Sequence, residues 1–163
     1  MVQLVGLLTA ALALSQSGAM RPTPDFSGSW TMDRARSESP LQTPPVNAIS
    51  VTIHQQPAEI RIDAVRDGSP PESTTYRIVD VPNPTTGALG AGTLRAYWDG
   101  MKLVTEKGGT VRGQTVSIRE IRALTAGGAE MTVETLVVVQ HGYSLRGARN
   151  YASKTDVFRK AAP

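Results

Sequence analysis

Thr93-Leu94-Arg95-Ala96-Tyr97-Trp98-Asp99-Gly100-Met101-Lys102-Leu103-Val104-Thr105 is the stretch that decides the fold class of this 163-residue chain. Asp-Gly stands between two strand-like runs, which is one of the strongest short-range signals for an antiparallel hairpin. Glycine supplies the positive φ that a tight turn needs, and a strand sends alternate side chains to opposite faces.

The same pattern continues on both sides. Ile49 to Gln55 and Ala58 to Arg66 flank Gln56-Pro57, and in the second run Ile60, Ile62 and Ala64 alternate with Arg61, Asp63 and Val65. Asp67-Gly68-Ser69-Pro70-Pro71 turns the chain into Ser73 to Val81, where Tyr76, Ile78 and Asp80 share a face. Pro82 to Gly92 reads as a long Gly/Pro-rich loop. Beyond the hairpin, Thr115 to Leu124, Met131 to Val139 and Lys154 to Lys160 are further runs, the first two followed by glycine-bearing turns. Phe26 to Met32 is the first run, and a proline-rich connection from Asp33 to Ala48 follows it. These segments predict an all-β fold, an antiparallel up-and-down barrel of about eight to ten strands, because a long meander curls shut to remove its edges. A β-sandwich is the alternative. It would need Greek-key crossovers, for which only the two long loops provide slack.

Composition narrows the function classes. A hydrophobic share of 40% with 19% charged residues supports a packed core, and the length fits one domain. The net charge is +3, but the thirteen arginines are scattered, so the clustered basic footprint of a nucleic-acid binder is missing. Without cysteine there is no disulfide framework and no thiolate metal site.

Leu4 to Leu14 is apolar and uncharged, too short to span a bilayer, and Ser17-Gly18-Ala19 offers small residues for cleavage before Met20. The expected organisation is a signal peptide at 1–19, a linker at 20–25, a barrel at 26–160 and a tail at 161–163. The expected location is periplasmic or extracellular, with no transmembrane segment in the mature chain.

Four segments carry a resemblance. They are Asp25-Phe26-Ser27-Gly28-Ser29-Trp30-Thr31-Met32-Asp33, Trp98 to Val104, Leu124 to Glu134, and Asp156-Val157-Phe158-Arg159-Lys160. In order and spacing they resemble bacterial exported lipocalin-like proteins, from one end of the mature chain to the other. Gly28-Ser29-Trp30 also matches the Gly-x-Trp signature of the first lipocalin strand. The resemblance implies that Trp30 plugs the closed end of a barrel, with Arg159 stacked on the indole as a cation–π pair.

Inward positions form one alternation class of each strand. The candidate lining is Ile60, Ile62, Tyr76, Ile78, Leu94, Trp98, Leu103, Val116, Ile118, Glu120 and Val133. Trp98 and Tyr76 combine apolar area with a polar handle, which suits ligand contact. The reading these residues favour is capture of a small hydrophobic molecule in the barrel, under the Asp33–Ala48 loop. One alternative is a packed structural or interaction module of the cell envelope, with Arg61, Arg77, Arg95 and Arg119 outward. Another is a barrel enzyme using an inward carboxylate, for which Glu120 with a raised pKa is the candidate. No catalytic motif, metal-ligand spacing or cofactor loop is present: His54 and His141 stand alone, and Gly87 to Gly92 lacks the Lys and Ser/Thr of a phosphate loop. No cofactor is expected.

Overall fold

A computed structural model describes residues 23–87, 90–140 and 150–162. The expected signal peptide, most of the linker and the segment around His141 lie outside the described residues. Ten strands run β1 (Gly28–Met32), β2 (Ile49–Gln56), β3 (Glu59–Arg66), β4 (Glu72–Arg77), β5 (Val79–Gly87), β6 (Gly90–Asp99), β7 (Lys102–Val111), β8 (Gln114–Leu124), β9 (Glu130–Gln140) and β10 (Tyr151–Lys160). All belong to one sheet, ordered β4-β3-β2-β1-β10-β9-β8-β7-β6-β5, and every neighbouring pair is antiparallel.

That order is an up-and-down meander whose first and last strands also pair, which excludes the sandwich alternative. Its two edges, β4 and β5, are consecutive in the chain, and Ile78 between them forms an isolated parallel bridge to Ala96 on β6. The barrel is nearly closed, with its seam between β4 and β5.

Turn chemistry sets the registers. Arg112 (φ +50°) and Gly113 (φ +77°) make a two-residue turn between the paired Val111 and Gln114. Gly100 (φ +60°) does the same between Asp99 and Lys102, the hairpin read from the sequence. Gly92 answers to a different constraint: a Cβ there would lie 1.8 Å from the Gly108 carbonyl oxygen, so only glycine lets β6 and β7 approach so closely.

Two sequence expectations are corrected along the seam. Ser73 to Val81 is not one strand but two, broken at Ile78, whose amide donates to the Ala58 carbonyl at 2.9 Å. Within the expected Pro82–Gly92 loop, residues 82–87 belong to β5 and residues 90–92 to β6. β5 pairs with β6 alone, so the missing amide hydrogens of Pro82 and Pro84 interrupt no second ladder.

An aromatic cluster fills part of the core. Phe26 and Trp30 are fully buried, and the indole Nε1 donates to the Phe26 carbonyl at 2.9 Å. Trp98 packs its ring against Phe26 at a centroid distance of 6.1 Å, tilted by 33°. The cation over the Trp30 ring is Lys160, whose Nζ lies 5.3 Å from the centroid, and not Arg159 as the resemblance implied. Register explains the correction. Trp30 is opposite Lys160 on β10, whereas Arg159 is opposite Thr31 and therefore points to the outer face. There Arg159 is 64% exposed and pairs with Asp33 at 2.7 Å.

The chain leaving β1 does not swing free. The Asp33 amide donates to the Val157 carbonyl at 2.7 Å and the Glu38 amide to the Thr155 carbonyl at 3.0 Å, so the connection follows β10. It contains two short 3-10 turns, Arg34–Arg36 and Ser39–Leu41, then reaches β2, where the Asn47 and Ala48 amides donate to the Asp67 carboxylate.

Candidate functional site

Period-two alternation carries one face of each strand into the barrel. On β2, β3, β9 and β10 this face brings Ile49, Val51, Ile62, Met131, Val133 and Phe158 to one wall of a recess. The same alternation brings polar groups to the rest of the wall: Glu72, Thr74 and Tyr76 on β4, Lys107 on β7, Glu120 and Arg122 on β8, Thr135 on β9, and Lys154 and Asp156 on β10. The recess has a cavity volume of about 50 Å³. That leaves room for a few waters, so long charged side chains occupy most of the interior.

The charged groups are arranged in three sets. Arg122 is almost completely enclosed; its Nη2 donates to Glu120 Oε2 at 2.5 Å and its Nη1 to Thr105 Oγ1 at 2.7 Å. Glu72 receives two cations, Lys107 Nζ at 2.8 Å and Arg66 Nη1 at 3.5 Å. Asp156 is bound by Lys154 Nζ at 3.1 Å and by the loop residue Ser39, through its amide at 2.8 Å and its hydroxyl at 2.6 Å. Lys154 also donates to the Ser39 hydroxyl, so the Asp33–Ala48 connection is fastened to the recess wall by a fully buried serine.

Electrostatics follow from these partners. Burial raises the pKa of Glu120, but the Arg122 charge and hydrogen bond, together with Lys107 and Arg66, outweigh it and hold the carboxyl below the ordinary Glu range. The expectation of a raised Glu120 pKa is therefore corrected: the residue lines the barrel interior as an ionised, paired carboxylate, unsuited to act as a proton-donating acid. The hydrogen bond from Lys107 lowers the Glu72 pKa against the opposing effect of burial. Tyr76 moves the other way, raised by burial and then by the Glu120 charge, so its phenol stays neutral.

The structure distributes the residues expected to line the barrel. Ile62, Tyr76, Glu120 and Val133 meet at the recess. Ile60 and Leu103 are fully buried in the core, and Ile78, Leu94 and Trp98 pack against it half-buried. Val116 and Ile118 share the face of Glu120 but are not part of the recess lining. Trp98 packs against Phe26 and is not among the residues that line the recess. Sequence reasoning did not select Arg66, Glu72, Lys107, Arg122, Lys154 or Asp156. The signal was present, since each shares parity with an apolar inward neighbour: Arg122 with Glu120 and Ile118, Asp156 with Phe158, Lys107 with Leu103.

Three of the four arginines expected outward are engaged with their neighbours. Arg61 pairs with Asp63 at 3.1 Å. Arg119 donates to the Tyr97 hydroxyl at 2.5 Å and pairs with Glu106, while Arg95 lies 4.4 Å over the Tyr97 ring. No group of three or more His, Asp or Glu residues arranged to hold a metal occurs among the described residues, and no helix among them is long and apolar enough to cross a membrane.

No protein-family profile matches the chain, and no curated protein matches it. Among solved structures 110 chains match, including the crystal structure of a secretory abundant heat soluble (SAHS) protein from Ramazzottius varieornatus. That likeness covers 83% of this chain and 95% of the other, at a TM-score of 0.56 and 13% identity. At that identity it shows the fold alone, a lipocalin-like β-barrel.

Proposed function

We propose that this protein binds a small amphiphilic molecule in the open end of its barrel. The observation that carries the reading is the division of a single recess into an apolar wall, with Val51, Ile62, Met131 and Phe158, and a wall of paired charges. A purely hydrophobic guest would leave the charged wall desolvated without new partners, which is costly. A molecule with an apolar body and a polar head satisfies both walls. Space for it comes from Arg66 and Lys107, long side chains at the mouth, 42% and 22% exposed, that can extend toward solvent while keeping their contact with Glu72. The apolar run Leu4 to Leu14 with the small residues at 17–19 supports export to the periplasm or the cell exterior.

Titration of the purified protein with an environment-sensitive fluorescent fatty acid tests the reading. Saturable fluorescence at one site per chain, displaced by unlabelled amphiphiles, is the expected result. A flat titration across several amphiphilic probes would select the packed, ligand-free barrel instead.

A further inference from the structure

We infer that the head group bound in the recess is an anion, a carboxylate or a similar oxyanion, seated where Arg66 and Lys107 share Glu72. This inference rests on the proposal that the recess holds an amphiphile, and it names the chemical class of that amphiphile. The described lining carries four cations, Arg66, Lys107, Arg122 and Lys154, against three carboxylates, Glu72, Glu120 and Asp156. The surplus can be located. Arg122 is matched by Glu120 and enclosed with it, and Thr105 takes a second of its donors. Lys154 is matched by Asp156 and held by the buried Ser39.

Arg66 and Lys107 remain; both bond directly to the Glu72 carboxylate, Lys107 at 2.8 Å and Arg66 at 3.5 Å, and act on Glu120, already paired with Arg122, only from farther away. Two cations on one carboxylate leave one positive charge and several N–H donors uncommitted at the border between the recess and solvent. An oxyanion there gains charge-assisted hydrogen bonds, while its apolar chain lies along Val51, Ile62 and Phe158. A cationic head group meets the opposite balance and is repelled.

Isothermal titration of the protein with decanoate, decanol and decyltrimethylammonium, three guests sharing one chain length, tests the inference. Decanoate is expected to bind about tenfold more tightly than decanol, roughly 1.4 kcal/mol, with the ammonium weakest. Equal affinities, or preference for decanol or the ammonium, overturn the anion site and leave the amphiphile proposal standing. Failure of all three to bind overturns both. Arg66→Gln and Lys107→Met are each expected to narrow the decanoate-to-decanol ratio to below about threefold, with an unchanged far-UV circular dichroism spectrum as the control for folding. Glu72→Gln is expected to widen it, an opposite sign that general loss of structure would not produce. Ratios that stay at the parent value in all three variants overturn the placement.

Discussion

Glu120 and Arg122 lie two residues apart on β8 and form an ion pair of 2.5 Å inside the barrel, with their side chains only 16% and 5% exposed. On a strand, residues i and i+2 share a face, so the pair is built from local geometry before any tertiary contact forms. Tertiary structure then withdraws it from water, and each partner becomes necessary to the other.

Arg122→Met is expected to lower the unfolding free energy by about 3–5 kcal/mol, because it leaves Glu120 buried without its partner. Glu120→Leu combined with Arg122→Met should recover much of that loss. Urea denaturation followed by far-UV circular dichroism measures both. A single variant as stable as the parent protein would show that the pair is not enclosed.

The same pair sets a pH dependence. The folded pKa of Glu120 is lowered, so the stability it contributes is present above the unfolded Glu value of about 4.3 and is lost as the pH falls below it. Glu72 acts in the same direction through Lys107. The urea midpoint is expected to hold from pH 7 to about 5 and to fall between about 5 and 3. In Glu120→Leu/Arg122→Met the decline should be shallower.

Ser39 fastens the Asp33–Ala48 connection to the recess wall through Asp156. Ser39→Ala removes the hydroxyl bond but keeps the amide, with an expected cost of about 1–2 kcal/mol. Limited proteolysis should then cut within residues 40–48 several times faster than in the parent protein, because this exposed stretch loses its anchor. An unchanged cleavage rate would mean that the bonds to Asp67 and β10 hold the connection alone.

In the aromatic cluster, Trp30→Ala is expected to cost about 3–5 kcal/mol through cavity formation and loss of the hydrogen bond to Phe26. Lys160→Met and Arg159→Met should each cost less than about 1 kcal/mol. Thermal unfolding of the three variants separates a plug built on packing from one built on the cation. A large loss in Lys160→Met alone would reverse that assignment.

The barrel was legible because its signals are local. Asp99-Gly100, Arg112-Gly113 and the alternation of Ile60, Ile62 and Ala64 each act within a few residues. Where the reading failed, the deciding partner was distant in sequence. Pro82 and Pro84 suggest a loop until β5 is placed at the edge of the sheet, with a ladder on one side only. Ser73 to Val81 reads as one strand until the Ile78 amide is found bonded to the Ala58 carbonyl, twenty residues back in the chain. Arg159 fits the expected plug until the pairing of β1 with β10 puts Lys160 opposite Trp30 instead.

By itself the sequence determined the hairpin turns and the alternation of most strands, though not the break at Ile78 or the strand Val79–Gly87, since backbone geometry repeats every two residues whatever the surroundings. Tertiary structure alone decided which inward positions became core and which became recess. It turned Glu120 from an expected high-pKa acid into an ionised partner of Arg122, and it gathered Arg66, Glu72 and Lys107 from three strands. Charge interactions act through space at a few ångströms, and only a closed barrel sets those distances.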